Sequence, residues 1–164
     1  SVCWWNLLYD SSNLAPCDIG WRIVPSIGSP SDRKKLIEGL ANRKLTAIGI
    51  NSIALDDAEI KKPANLRLPG LSGYNLVLPL LWKELITNSD WNIENLWDVL
   101  SFGPSRYINS KEECLKENSN RWLLFDPDAR WVQSINKKVF PFAANQPLEG
   151  EEINGKVIAC GLYS

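Results

Sequence analysis

The chain has 164 residues, is 45% hydrophobic and carries a formal net charge of -1. That length supports one domain with a core of its own, and the near-neutral balance points away from nucleic acid and from anionic membrane surfaces as partners. No apolar run approaches the roughly 20 residues of a membrane span, and the four cysteines, Cys3, Cys17, Cys114 and Cys160, are scattered without a C-x-x-C pair, which argues against a structural zinc site and predicts reduced thiols in a cytoplasmic protein.

Histidine is absent, so the commonest general base and transition-metal ligand is missing; methionine is absent too, and there are 8 tryptophans. The opening "SVCWWNLLYD" starts in an apolar, aromatic run, whereas chains usually begin with a polar, solvated stretch. It reads as an internal cut of a longer chain, or the edge of one segment of it.

Val2 to Tyr9 is predicted as a strand, Ser11 to Gly20 as a loop, and Trp21 to Val24 as a short extended piece before the turn-rich "PSIGSPSD". A helix follows: Ser29 can cap it, Pro30 suits its first position, Asp32 lies near the positive end of its dipole, and Leu36, Ile37 and Leu40 form its apolar face. Leu45 to Ile50 is the next strand, ending in a polar tip at Asn51 and Ser52. Strand, helix and strand in this order are the rhythm of a parallel sheet. After a long loop with Pro63, Pro69, Gly70 and Gly73, "NLVLPLLWKELI" reads as a buried helix with a proline near its start. Asp90 can cap another helix, in which Trp91, Leu96, Trp97 and Leu100 keep helical spacing, and "SFGPSRYI" closes the helical region. Near Asn109 the texture changes: "RWLLFDP", "RWVQSI" and "GKVIACGL" are strand-like runs between turn signals. The expected organisation is therefore α/β, with residues 1–108 separate from a small β module at 109–164.

Eight pieces, in order and at near-matching gaps, resemble the C-terminal part of a dihydroorotase-type amidohydrolase. "NLLYDSSNL" resembles the family's His-His-Leu-Leu-Leu-Thr-Asp segment on the seventh barrel strand, and "RIVPSIGSPSDRKKLIEGL" its Lys-Val-Asn-Pro-Pro-Leu-Arg followed by Asp-Arg and a Leu-Ile-Glu-Gly-Leu helix. "LTAIGINSIAL" falls on the eighth strand, where the family has Asp-Ala-Ile-Ala-Thr-Asp-His-Ala-Pro-His. "PGLSGYNLVLPLLW" is similar to Gly-x-x-Gly-Leu-Glu-x-x-Leu-Pro-Leu-Leu, and "LSFGPSR" to Leu-Ser-x-Asn-Pro-Ala-Arg. "LLFDPDARWVQ", "NQPLEG" and "NGKVIACG" resemble the family's tail. The resemblance implies the last two β/α units of a (β/α)8 TIM barrel, residues 1–108, with the C-terminal strands of a small β-sandwich. It also implies a zinc-dependent hydrolase of cyclic amides.

The chemistry-bearing positions of that family are not retained. Asn51 stands where the resemblance places the aspartate that is both metal ligand and base for the metal-bound water. Ser52 and Leu55 replace the two histidines that follow, and Trp5 and Asn6 the paired histidines of the seventh strand. Val24 and Gly28 fall where a substrate-binding asparagine and an arginine are expected, and Asn75 replaces the glutamate of Gly-Leu-Glu. The remaining ligands of the family belong to strands one to six, outside this sequence. No catalytic residue, no metal ligand and no cofactor are therefore expected here.

Simpler readings stand beside these. Asn51 and Ser52 also read as a strand end satisfied by local hydrogen bonds, or as a remnant pocket for a small ligand. Trp4 and Trp5 read as core or interface aromatics, and Trp82, Trp91, Trp97 and Trp122 as packing residues. Asp56, Asp57 and Glu59 read as a solvated loop, and Asp126 before Pro127 as a turn former. Three functions follow: a non-catalytic dihydroorotase homologue or fragment, such as the family uses as a structural partner of aspartate carbamoyltransferase; a piece of an active hydrolase whose metal site lies elsewhere; or an unrelated small binding module. Two strands of eight cannot close a barrel. Exposed tryptophans on the first strand are therefore expected to be covered by the rest of a parent protein, a second copy or another polypeptide.

Overall fold

In the computed structural model, which describes residues 1–13, 22–63, 65–111, 117, 119, 121–134 and 143–162, the βαβ rhythm is present in shortened form. Strand β1 (Val2–Cys3) pairs in parallel with β2 (Ile48–Gly49), Val2 opposite Ile48 and Cys3 opposite Gly49. The Val2 N–H donates to the Ala47 carbonyl at 3.0 Å and the Trp4 N–H to that of Gly49 at 3.1 Å. Helix α2 (Pro30–Ala41) connects them. Its start follows from three side chains: the Ser29 hydroxyl accepts from the Asp32 N–H at 3.2 Å, the Asp32 carboxylate accepts from the Ser29 N–H at 2.9 Å, and Pro30 has no N–H to leave unpaired.

The long first strand is corrected. After two residues of ladder the chain turns into a single helical turn, α1 (Trp5–Leu8), closed by the Tyr9 N–H on the Trp5 carbonyl at 3.0 Å. The reason is packing. Strict alternation would place Trp4 and Asn6 on one face and Trp5 and Leu7 on the other, whereas the turn sends Trp4, Trp5 and Leu7 together into the core. The expected exposure of the tryptophans is corrected with it: Trp4 and Trp5 are 0% and 1% exposed, their rings 3.8 Å apart and tilted by 34°. This chain covers them itself.

A short helix, α3 (Asp57–Ile60), capped by the Asp56 carboxylate on the Glu59 N–H, occupies the acidic stretch expected as loop. A helical run over 74–87 follows: a 3-10 turn (Tyr74–Leu76), α4 (Val77–Leu81) and a π-helical turn (Trp82–Thr87). Pro79 lies in the first turn of α4, where its missing N–H costs no intrahelical bond. The next run begins later than predicted. Asn92, not Asp90, caps α5 (Ile93–Trp97), accepting from the Asn95 N–H at 2.8 Å, while the Trp91 N–H still bonds back to the Leu85 carbonyl. A π-helical turn (Asp98–Phe102) and α6 (Gly103–Tyr107) complete it. Leu7, Leu76, Leu81, Leu85 and Leu96 are fully buried between these elements, each contributing roughly 1.5–3 kcal/mol of transfer free energy.

The β module is one antiparallel ribbon of two long strands, β3 (Arg121–Val132) and β4 (Glu152–Leu162). Two of the predicted runs, "RWLLFDP" and the first half of "RWVQSI", are joined in β3 across an irregularity between Asp126 and Arg130. There the Asp126 carboxylate accepts from the N–H groups of Asp128 and Ala129, and Pro127 sits where no ladder donor is needed. The ribbon packs on α4 through Gly155 against Pro79 and Phe125 against Trp82, with ring centroids 5.1 Å apart. Trp122, Leu123, Leu124 and Ile158, farther along, are exposed. Residues 14–20 of the expected loop, Trp21, Ile135 and the cysteines Cys17 and Cys114 lie outside the described residues. Among the described residues no helix is long and apolar enough to cross a membrane.

Gly103 decides how closely the second helical run approaches β2: a Cβ there would lie 1.7 Å from the Thr46 carbonyl oxygen. In an open helix, alanine in place of glycine gains about 1 kcal/mol; here the added methyl meets backbone that cannot turn aside, and overpacking costs about 1–3 kcal/mol. Gly103→Ala is expected to lower the urea midpoint, and an unchanged or raised midpoint would show that this contact does not bind the run to the strand.

The helix cap carries a pH signature. Hydrogen bonds from the Ser29 hydroxyl and N–H hold the Asp32 carboxyl below its ordinary range. A lowered folded value means that the cap contributes fully above the unfolded carboxylate pKa of about 3.9 and loses its contribution as pH falls through the folded value. The stability gap between the natural chain and Ser29→Ala, measured by denaturant titration, is expected to be constant near neutrality and to shrink below about pH 4.

Candidate functional site

Because β1 and β2 run in parallel, their carboxyl ends open to the same side. Asn6 follows one and Asn51 the other. Asn51 adopts a left-handed backbone (φ 45°), a conformation that asparagine tolerates better than most residues. Its amide lies over Gly49, 3.5 Å from where a Cβ would sit. A cleft of about 530 Å³ opens here, lined by Cys3, Asn6, Gly28, Asp32, Lys35 and Asn51 among others. Of the positions singled out in the sequence, the structure brings together Asn6, Gly28 and Asn51.

The others serve elsewhere. Trp5 is a core residue stacked on Trp4. Val24 is 74% exposed and does not line the cleft. Leu55 is buried; its N–H donates to the Asn145 side-chain oxygen at 2.9 Å and its carbonyl accepts from the Ala144 N–H at 2.7 Å. Ser52 is half-buried, and its hydroxyl accepts or donates no hydrogen bond among the described residues. The Asn75 amide donates to Gln133 at 2.9 Å, and the buried Gln133 amide in turn to Gln146 at 2.9 Å. In the cleft wall Asn6 donates to the Ser26 carbonyl at 3.0 Å.

The chemistry available is limited. Burial pushes the Cys3 thiol above its usual range, with smaller opposing effects from backbone hydrogen bonds and Asn51, so it is a poor nucleophile. Asp32 is held as a capped carboxylate and is correspondingly a weak base. Zinc takes thiolates, imidazoles and carboxylates; the cleft offers two amides, one protonated thiol and a committed carboxylate. Among the described residues no three His, Cys, Asp or Glu side chains gather in one place. The donors present at Asn51, Ser52, Leu55 and Asn6 do not fit the ion that the resemblance implies.

Asn145, which holds the loop beyond the Asn51 tip, is the residue that sequence reasoning missed. It is buried, accepts from the Leu55 N–H, and donates to the carbonyls of Ile53 at 2.8 Å and Gly70 at 2.9 Å. The signal for it was present: "NQPLEG" stood out as a matched piece of the tail, and its asparagine is the conspicuous polar residue.

No family model matches the chain. Solved structures do. A D-hydantoinase superposes with a TM-score of 0.74 at 16% identity, over 96% of this chain and 36% of that one. The dihydroorotase of Campylobacter jejuni does so with 0.71 at 16% identity, over 96% and 43%. These solved structures are TIM-barrel amidohydrolases, and the chain shares the fold of the parts on which it superposes. Sequence comparison narrows it: a dihydroorotase-like protein of Synechocystis is 32% identical over 97% of this chain and 36% of its own length, and the dihydroorotase of Staphylococcus aureus is 29% identical over 84% and 32%. The chain is a homologue of the dihydroorotase-type amidohydrolases, and it spans about a third of the length of these relatives. The reading as an unrelated binding module gives way to this kinship.

Asn145→Ala removes one acceptor and two donors from buried backbone groups, each costing about 1–3 kcal/mol when left unpaired. A loss on the order of 3 kcal/mol in denaturant unfolding is expected. Asn145→Asp can still accept from Leu55 but, ionised, donates to neither carbonyl, so it should be comparably destabilised at neutral pH. Wild-type stability in either variant would show that the loops are held by other means.

Proposed function

We propose that this chain is a non-catalytic, dihydroorotase-like module, cytoplasmic, with a structural or assembly role linked to pyrimidine biosynthesis. In this reading residues 1–108 are the last two β/α units of a barrel and residues 109–164 the C-terminal strands of its companion sandwich. Its partners are the remainder of a longer polypeptide, a second copy, or aspartate carbamoyltransferase. The observation that carries it is Asn51. An amide stands at the end of β2 where the family's carboxylate would ligate metal and take a proton from water, and it lies against Gly49 in the wall of the cleft. An amide has no basic lone pair for proton transfer near neutral pH, and general-base catalysis needs one.

A second reading, part of an active cyclic-amide hydrolase whose metal site is supplied by other strands, is favoured by the relatives that bear the enzyme's name. The two diverge on activity. The purified chain is expected to hydrolyse neither dihydroorotate nor hydantoin above background, with or without added divalent metal, and Asn51→Asp alone is expected to stay silent because the neighbouring ligands are still missing. Turnover by the unmodified chain that a chelator abolishes would overturn the non-catalytic reading. Turnover appearing only when the sequence is assayed within a longer polypeptide would favour the second.

Metal content gives an independent check. With no histidine and no paired thiols, the chain is expected to retain no stoichiometric zinc after equilibrium dialysis and elemental analysis. One tightly held equivalent per chain would contradict this.

A further inference from the structure

We draw no further inference here: the strongest candidate, the exposed apolar end of the β3–β4 ribbon around Trp122, Leu124 and Ile158, carries nothing because nothing in the structure shows what covers it.

Discussion

The buried amide of Asn145 is the constraint on which the loops above the strands depend. The segment after β2 and the segment before the helical run over 74–87 share the bond from the Ile53 N–H to the Leu71 carbonyl at 3.0 Å, and their other backbone groups here need further partners. Asn145 supplies three with one side chain, and its own carbonyl accepts from the Ser72 N–H at 3.3 Å. Only an amide can do this, because the position needs an acceptor and two donors on one planar group without a charge to desolvate. The Asn51 tip keeps its place partly because the residues just beyond it are held this way.

The same economy of neutral polar groups runs through the cleft and its surroundings. Where the resemblance calls for charged or metal-binding residues, this chain has amides, a hydroxyl and apolar groups, and several have become structural. Leu55 is packed and bonded through its backbone. Asn75 reaches Gln133 and, through it, Gln146, tying the start of the helical run to the ribbon. Trp5 fills the core beside Trp4. A buried carboxylate or imidazole at such positions would demand a counter-charge or a metal; a neutral amide asks only for hydrogen bonds. In the cleft that remains, the Asp32 carboxylate is committed to the helix cap and burial keeps the Cys3 thiol protonated.

Much of this was legible in the chain. Ser29, Pro30 and Asp32 announced their helix because capping is local chemistry, and the order of strand, helix and strand announced a parallel pair. The helix spanning Leu76 to Leu85 was visible in its apolar composition. What could not be read locally was set by long-range packing. "WWNLL" suits a strand or a helical turn equally well, and the choice was made by the core into which Trp4, Trp5 and Leu7 converge. The helix expected from Asp90 starts two residues later because Trp91 is still bonded to Leu85. "FDPDARW" looked like a break between strands, and Asp126 turned it into a bulge within one. The departures at the site were readable as residue types, but the work that Leu55 and Asn75 now do required knowing what stands across from them.

The bonds made by Asn145 also have an order in time. They join residues separated by 90, 92 and 75 positions along the chain. Synthesis proceeds from the amino terminus at about 5–20 residues per second, so roughly 5–20 s pass between the emergence of Leu55 and that of Asn145. By the end of that interval β1, β2, α2 and both helical runs are available to pack, while until then the carbonyls of Ile53 and Gly70 and the N–H of Leu55 lack this partner. The loops beyond the Asn51 tip are therefore fastened only after both helical runs have emerged, by a residue that the ribosome delivers after everything it secures.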